Sequence, residues 1–120
     1  MNISVICFSM TGLETGEKLQ RALEKEGDQV TLAKKSRYLP DSISVSVSKW
    51  AEEQFQSGKD GVMFVGACGI AVRSIAPYIA GKKTDPAVLV VDECGKFVIS
   101  LLSGHLGGAN ELAIRCAKDL

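Results

Sequence analysis

The segment Ser103-Gly104-His105-Leu106-Gly107-Gly108-Ala109-Asn110 gathers the residue types that chemistry would need. Three glycines and a histidine ahead of a helical stretch cost conformational entropy that a plain connector need not lose. Such a loop can bring backbone N–H groups close to an anionic ligand group. His105 is the chain's one imidazole, a side-chain type that could act as general acid or base. The competing interpretation is an exposed histidine in a Gly-rich loop. Both stay open on residue chemistry alone.

Two further glycine loops follow apolar runs, Ser9-Met10-Thr11-Gly12 and Gly66-Ala67-Cys68-Gly69. If Gly69 opens a helix, its N–H groups and positive dipole end would face a crevice lined by Gly66 and Gly69. Arg73, one turn on, could offer a fixed charge to a carboxylate. The same glycines could simply make tight strand-to-helix turns. Thr84-Asp85-Pro86 reads first as a turn in which Asp85 accepts backbone N–H bonds. Cys68, ahead of a helix, is either an acidified or a merely packed thiol.

Other chemistries find no support in the spacing. There is no GxxxxGK[ST] phosphate loop, and no GxGxxG fingerprint follows the first apolar run. Cys7, Cys68, Cys94 and Cys116 form no CxxC pair, so no zinc site is expected. Reduced thiols in a reducing, cytoplasmic compartment are the simplest account. Lys+Arg and Asp+Glu stand at 14 each, which argues against a nucleic-acid surface. The basic pairs Lys34-Lys35 and Lys82-Lys83 read as solvated faces. No run nears the ~20 apolar residues of a membrane span, and Met1 to Ser9 lacks a signal-peptide layout.

The elements that carry these loops follow from periodicity. Apolar runs at Ile3–Phe8, Gln29–Ala33, Val62–Val65, Ala87–Asp92 and Phe97–Leu102 predict five strands. Helical spacing predicts Leu13–Glu26, Val47–Ser57, a helix from Gly69 broken near Pro77, and Gly108–Leu120. Gly27 and Gly58 are stops. At 120 residues and 46% apolar content the chain suits one domain with one real core. Alternation of strands and helices predicts an α/β fold: a three-layer, mostly parallel sheet of flavodoxin-like order 2-1-3-4, with an antiparallel edge hairpin. That topology sets Thr84-Asp85 and the histidine loop at one sheet end. Gly66–Gly69 and the Asp92-Glu93 turn lie at the other, roughly 20 Å away.

The run from Gly69 to Ala113, with TDPA, VVDE and SGHLGGAN in that order, closely resembles the N-terminal domain of the CbiG family, the cobalt-precorrin-5A hydrolases of anaerobic cobalamin biosynthesis. The preceding residues fit that domain in length and order. The resemblance implies a hydrolase in which water opens the ring A δ-lactone of a cobalt-bound tetrapyrrole and acetaldehyde leaves, giving cobalt-precorrin-5B. No separate cofactor is expected, since cobalt would arrive inside the substrate.

Such chemistry needs a base, oxyanion donors and cationic contacts for carboxylates. On this chain His105 is the candidate base, with Ser103, Gly107 and Gly108 as donors. Asp85, Glu111 or Asp92 could orient the base or handle the proton. Arg73, Lys82 and Lys83 are candidates for substrate carboxylates, and Gly66, Gly69, Thr84, Gly104 and Asn110 complete the expected binding set. Family members usually continue into a linker and a C-terminal domain, so residues 1–120 are expected to be a single domain lacking both. The partners expected are the tetrapyrrole and that C-terminal domain, with no nucleic acid and no membrane. Two alternatives remain: a non-catalytic corrinoid-binding or scaffolding lobe, and a generic α/β domain holding a small anion at the Gly-rich loop.

Overall fold

Strand β1 (Asn2–Cys7) is buried from Ile3 onward, and β3 (Gly61–Val65) and β4 (Ala87–Val91) are buried throughout. Runs of this kind belong in the middle of a sheet covered on both faces. With β2 (Gln29–Lys34) and β5 (Val98–Leu102) they form one sheet in the order β2-β1-β3-β4-β5. The first three pairings are parallel and β4–β5 is antiparallel. Side chains alternate between two cores. The computed structural model describes residues 1–105 and 107–120; Leu106 of the glycine–histidine segment lies outside the described residues.

Helices α1 (Met10–Lys25) and α4 (Ala109–Asp119) cover one face. Leu19, Leu23, Leu112 and Cys116 pack there on Ile3, Val5, Met63 and Leu89. Helices α2 (Val47–Gln56) and α3 (Cys68–Ile75) cover the other, where Trp50, Ala51, Ala71 and Ile75 meet Ile6, Phe64, Val88 and Val90. Trp50 and Phe64 stand edge to face, with ring centroids 5.8 Å apart. The buried Ser4 hydroxyl donates to Gln54 Oε1 at 2.7 Å, which satisfies a polar group within that second core. The expected three-layer α/β architecture, strand order and antiparallel hairpin are all present.

Two expectations about helix starts are corrected. Helix α1 begins at Met10, not Leu13, because Ser9 caps it by accepting from Gly12 N at 3.0 Å. Gly12 and Gly16 therefore lie inside the helix. A Cβ at Gly16 would stand 2.5 Å from Cys7 Sγ, so this glycine lets α1 approach β1 closely. Helix α3 starts at Cys68, which makes Gly69 its second residue. Pro77 ends the regular helix as expected, and Ala76–Tyr78 tighten into a 3-10 turn.

A cross-molecule contact completes the frame. The Arg115 guanidinium on α4 donates to Glu26 Oε2 at 2.6 and 2.8 Å and also reaches Asp28, at the turn into β2. The Met1 ammonium donates to the other Asp28 oxygen at 2.9 Å. Among the described residues, no helix is long and apolar enough to cross a membrane.

Candidate functional site

Strand register decides which candidate residues can meet. Gly61 pairs with Ala87 and Val65 with Val91, while Val88 faces Leu102 on the antiparallel β5. The end of β5 therefore returns to the N-terminal ends of β3 and β4. That places Thr84-Asp85 together with Ser103–His105 and the start of α4, as the topology predicts. Gly66, Gly69, Arg73 and Asp92 fall at the opposite sheet end, about 15 Å away along a five-residue strand. Asp92 therefore cannot orient His105. It closes the β4–β5 turn instead, accepting from Cys94 N and Phe97 N.

Protein groups occupy that far end. The Phe8 ring packs against Gly66, where a Cβ would meet it at 3.0 Å. Ser9 Oγ donates to Glu93 Oε2 at 2.6 Å, and Thr15 Oγ1 donates to Glu93 O at 2.6 Å. Arg73 folds back along α3, its guanidinium 3.3 Å from where a Gly69 Cβ would stand. The helix turn expected to face an anion is thus shadowed by the helix's own cation.

The near end holds a cavity of about 450 Å³, within the range of small-molecule sites. Ile79, Leu101 and Leu102 supply an apolar lining, and Lys82, Ser103 and His105 add polar groups. His105 is exposed at its edge. Thr84 lies just outside, lining a neighbouring hollow with Tyr78 and Pro86, and its hydroxyl donates to Gly81 O at 3.3 Å.

Asp85 holds the two walls of this cavity. Its carboxylate is buried, with 8% of the residue exposed. It accepts from Ala80 N and Gly81 N, each at 3.1 Å. Its carbonyl accepts from Ser103 Oγ at 3.3 Å. The turn reading of Asp85 is therefore the one the geometry supports, with the carboxylate directed at the 80–81 backbone. Ser103 gives its hydroxyl proton to the same joint and sits at φ 61°, an unusual backbone for a residue with a side chain.

The glycines of the loop have local causes. A Cβ on Gly107 would stand 2.4 Å from Ser103 Cβ, and one on Gly104 would stand 2.8 Å from Asn110 Oδ1. Gly108 adopts φ 83° immediately before α4, a conformation that L side chains resist. Ala109 N donates to Ser103 O at 3.1 Å and Asn110 N to Gly104 O at 3.0 Å. Two of the first amides of α4 thus hold the loop itself. Glu111 is exposed in the first turn of α4, where its charge suits the positive helix end.

Sequence reasoning missed the cavity's apolar side. Leu101 and Leu102 register only as strand residues, although adjacent leucines interrupt a period-two pattern. The interruption is a bulge: Leu102 pairs with Val88 and Ser100 with Leu89, leaving Leu101 without an opposite number.

Comparison with known proteins completes the description. Residues 49–120 match the family model described as Cobalamin synthesis G N-terminal. A protein from Priestia megaterium named cobalt-precorrin-5A hydrolase is 49% identical over 78 residues, which is 65% of this chain and 21% of that one. Another of the same name, from Salmonella typhimurium, is 63% identical over 51 residues, 42% of this chain and 14% of that one. The crystal structure of a cobalamin biosynthesis protein G homolog from Sulfolobus solfataricus matches with a TM-score of 0.76 and 28% identity, covering 98% of this chain and 34% of the other. The chain thus spans about a third of that solved relative's length.

Proposed function

Because the chain belongs to the cobalamin synthesis G N-terminal family, we propose that it serves the hydrolysis of cobalt-precorrin-5A, with the cavity beside His105 receiving the lactone-bearing edge of the macrocycle. The observation that carries this reading is the meeting of the TDPA turn and the SGHLGGAN loop around one cavity with an imidazole at its edge. Cobalt enters as part of the substrate.

The reaction asks for few groups. His105 takes a proton from water as the water oxygen adds to the lactone carbonyl. The acyl–oxygen bond breaks, leaving a carboxylate and a hydroxyl on the carbon that carries the methyl. Loss of that hydroxyl proton turns its C–O bond into the carbonyl of acetaldehyde. The C–C bond to the ring breaks, and its electron pair passes into the conjugated macrocycle. On this reading a backbone amide of the glycine loop would donate to the acyl oxyanion.

A second reading has its own support. Asp85, the nearest buried acid, is committed to backbone amides, and Glu111 is exposed on α4. Among the described residues, no carboxylate is therefore in place to orient the candidate base. This favours a lobe that binds the corrinoid while the remainder of a longer chain completes the chemistry.

An acetaldehyde assay with cobalt-precorrin-5A, run on this chain and on the longer Salmonella relative, separates the two. Turnover by this chain supports the enzyme; turnover by the longer protein alone supports the lobe. Full acetaldehyde release by a longer relative carrying the substitution equivalent to His105→Ala would remove the base assignment.

A further inference from the structure

The wall of β5 beyond the cavity is left uncovered. Ile99 lies opposite Val90 and Leu102 opposite Val88, so both share the sheet face on which α2 and α3 pack. Helix α4 covers β5 only from the other side. Ile99 is consequently 43% exposed, and Ile79, on the cavity wall with Leu101 and Leu102, is 48% exposed. From Ile99 to Leu102 this apolar strip runs about 10 Å and enters the cavity at Leu101 and Leu102. At the cavity end stands Lys82, exposed and followed by exposed Lys83. On the opposite edge of the sheet, the same face of β2 carries Gln29, Thr31 and Ala33.

We propose that this β5 groove is the binding surface for one flat face of a corrin-type macrocycle, and that Lys82 pairs with a peripheral carboxylate of the ligand. The proposal rests on the functional reading above and adds the orientation. A cavity of about 450 Å³ holds an edge of such a ligand and not the whole disc with its acid side chains. The rest must lie along a surface, and the strip continuous with the cavity is apolar where the ring faces are apolar. The cation sits at its margin, where acid side chains project. Lys82 is therefore a specificity-determining residue, and Ile79 and Ile99 provide the contact area.

The test uses this 120-residue chain with two probes, cobyrinic acid and its heptamethyl ester, read by equilibrium dialysis against corrinoid absorbance. Wild type is expected to bind both. Lys82→Glu should weaken the acid about tenfold or more, the scale of one charge-assisted hydrogen bond, and leave the ester unchanged. Ile79→Asp should weaken both probes, and Ile99→Asp provides a second variant on the strip if the first perturbs folding. All three positions are exposed, and thermal melts verify the fold.

Failure of wild type to bind the acid overturns the proposal. So does equal weakening of both probes by Lys82→Glu, or weakening of the acid by Arg73→Glu with Lys82→Glu silent. The functional reading is judged separately by acetaldehyde release. A longer relative that releases acetaldehyde with an unchanged KM after the Lys82-equivalent substitution would keep the reaction and lose the surface.

Discussion

At Asp85, two backbone amides converge on one buried carboxylate while the same residue's carbonyl holds Ser103. An asparagine there keeps one acceptor but turns an NH2 toward one of those amides. Asp85→Asn should therefore cost about 1–3 kcal/mol in urea unfolding, because a buried donor loses its partner. Gly107→Ala should cost about 1–3 kcal/mol as well, since its new methyl collides with Ser103 Cβ and the loop must open. His105 offers the contrast. Its ring is exposed, so His105→Ala should leave stability within about 0.5 kcal/mol of wild type. Activity that falls in this variant while stability holds would separate chemistry from folding at one residue.

Among the elements, α1 shows what composition hides. Its Gly12 reads as part of a loop, yet it is helical like Gly16, and both make close contacts with strands that no local pattern records. The serine before them was the better guide, since a side-chain oxygen accepting from Gly12 N is the ordinary way to start a helix. Ser9→Ala should cost about 0.5–2 kcal/mol from the lost cap, and it also frees Glu93; thermal or denaturant unfolding would measure it. The strands were legible because β3 and β4 are apolar throughout and β1 nearly so, and their order followed from the alternation with helices. The clustering of Asp85 with the histidine loop was legible too, because strand direction alone dictates it. The bulge at Leu101 and the folding back of Arg73 over Gly69 were not, since each depends on the neighbour a side chain meets in three dimensions.

For the whole molecule, the acid limit of stability should run through Asp28. Burial alone would raise its pKa, but hydrogen bonds from the Met1 ammonium and from Arg115 outweigh burial and hold it below the ordinary 3.8. A carboxyl depressed on folding adds stability that is fully present above its unfolded value. That stability is lost as pH falls through the folded one. Asp28→Asn should thus be less stable than wild type at neutral pH, with the gap narrowing below about pH 4; denaturant melts across pH 2–7 would show it. The thiols add a further measure of closure. Burial first, and then nearby acids, push Cys7 and Cys116 up to about 12, whereas Cys94 is exposed. A thiol reagent at pH 8 should label Cys94 in the native state and reach Cys7 and Cys116 only on unfolding.

The Arg115 bridge to Glu26 and Asp28 also bears on the order of events during synthesis. It joins the turn after the first helix to the last helix, and Leu112 and Cys116 of that helix fill the core beneath β1 and β3. A growing chain holds the first of these partners long before it holds the second. Until α4 leaves the ribosome, Ile3, Met63 and Leu89 have an unfilled side facing water, and Asp28 lacks its arginine. The first hundred residues should therefore remain open to proteases and chaperones until α4 has emerged. Protection should arrive as α4 docks on this face.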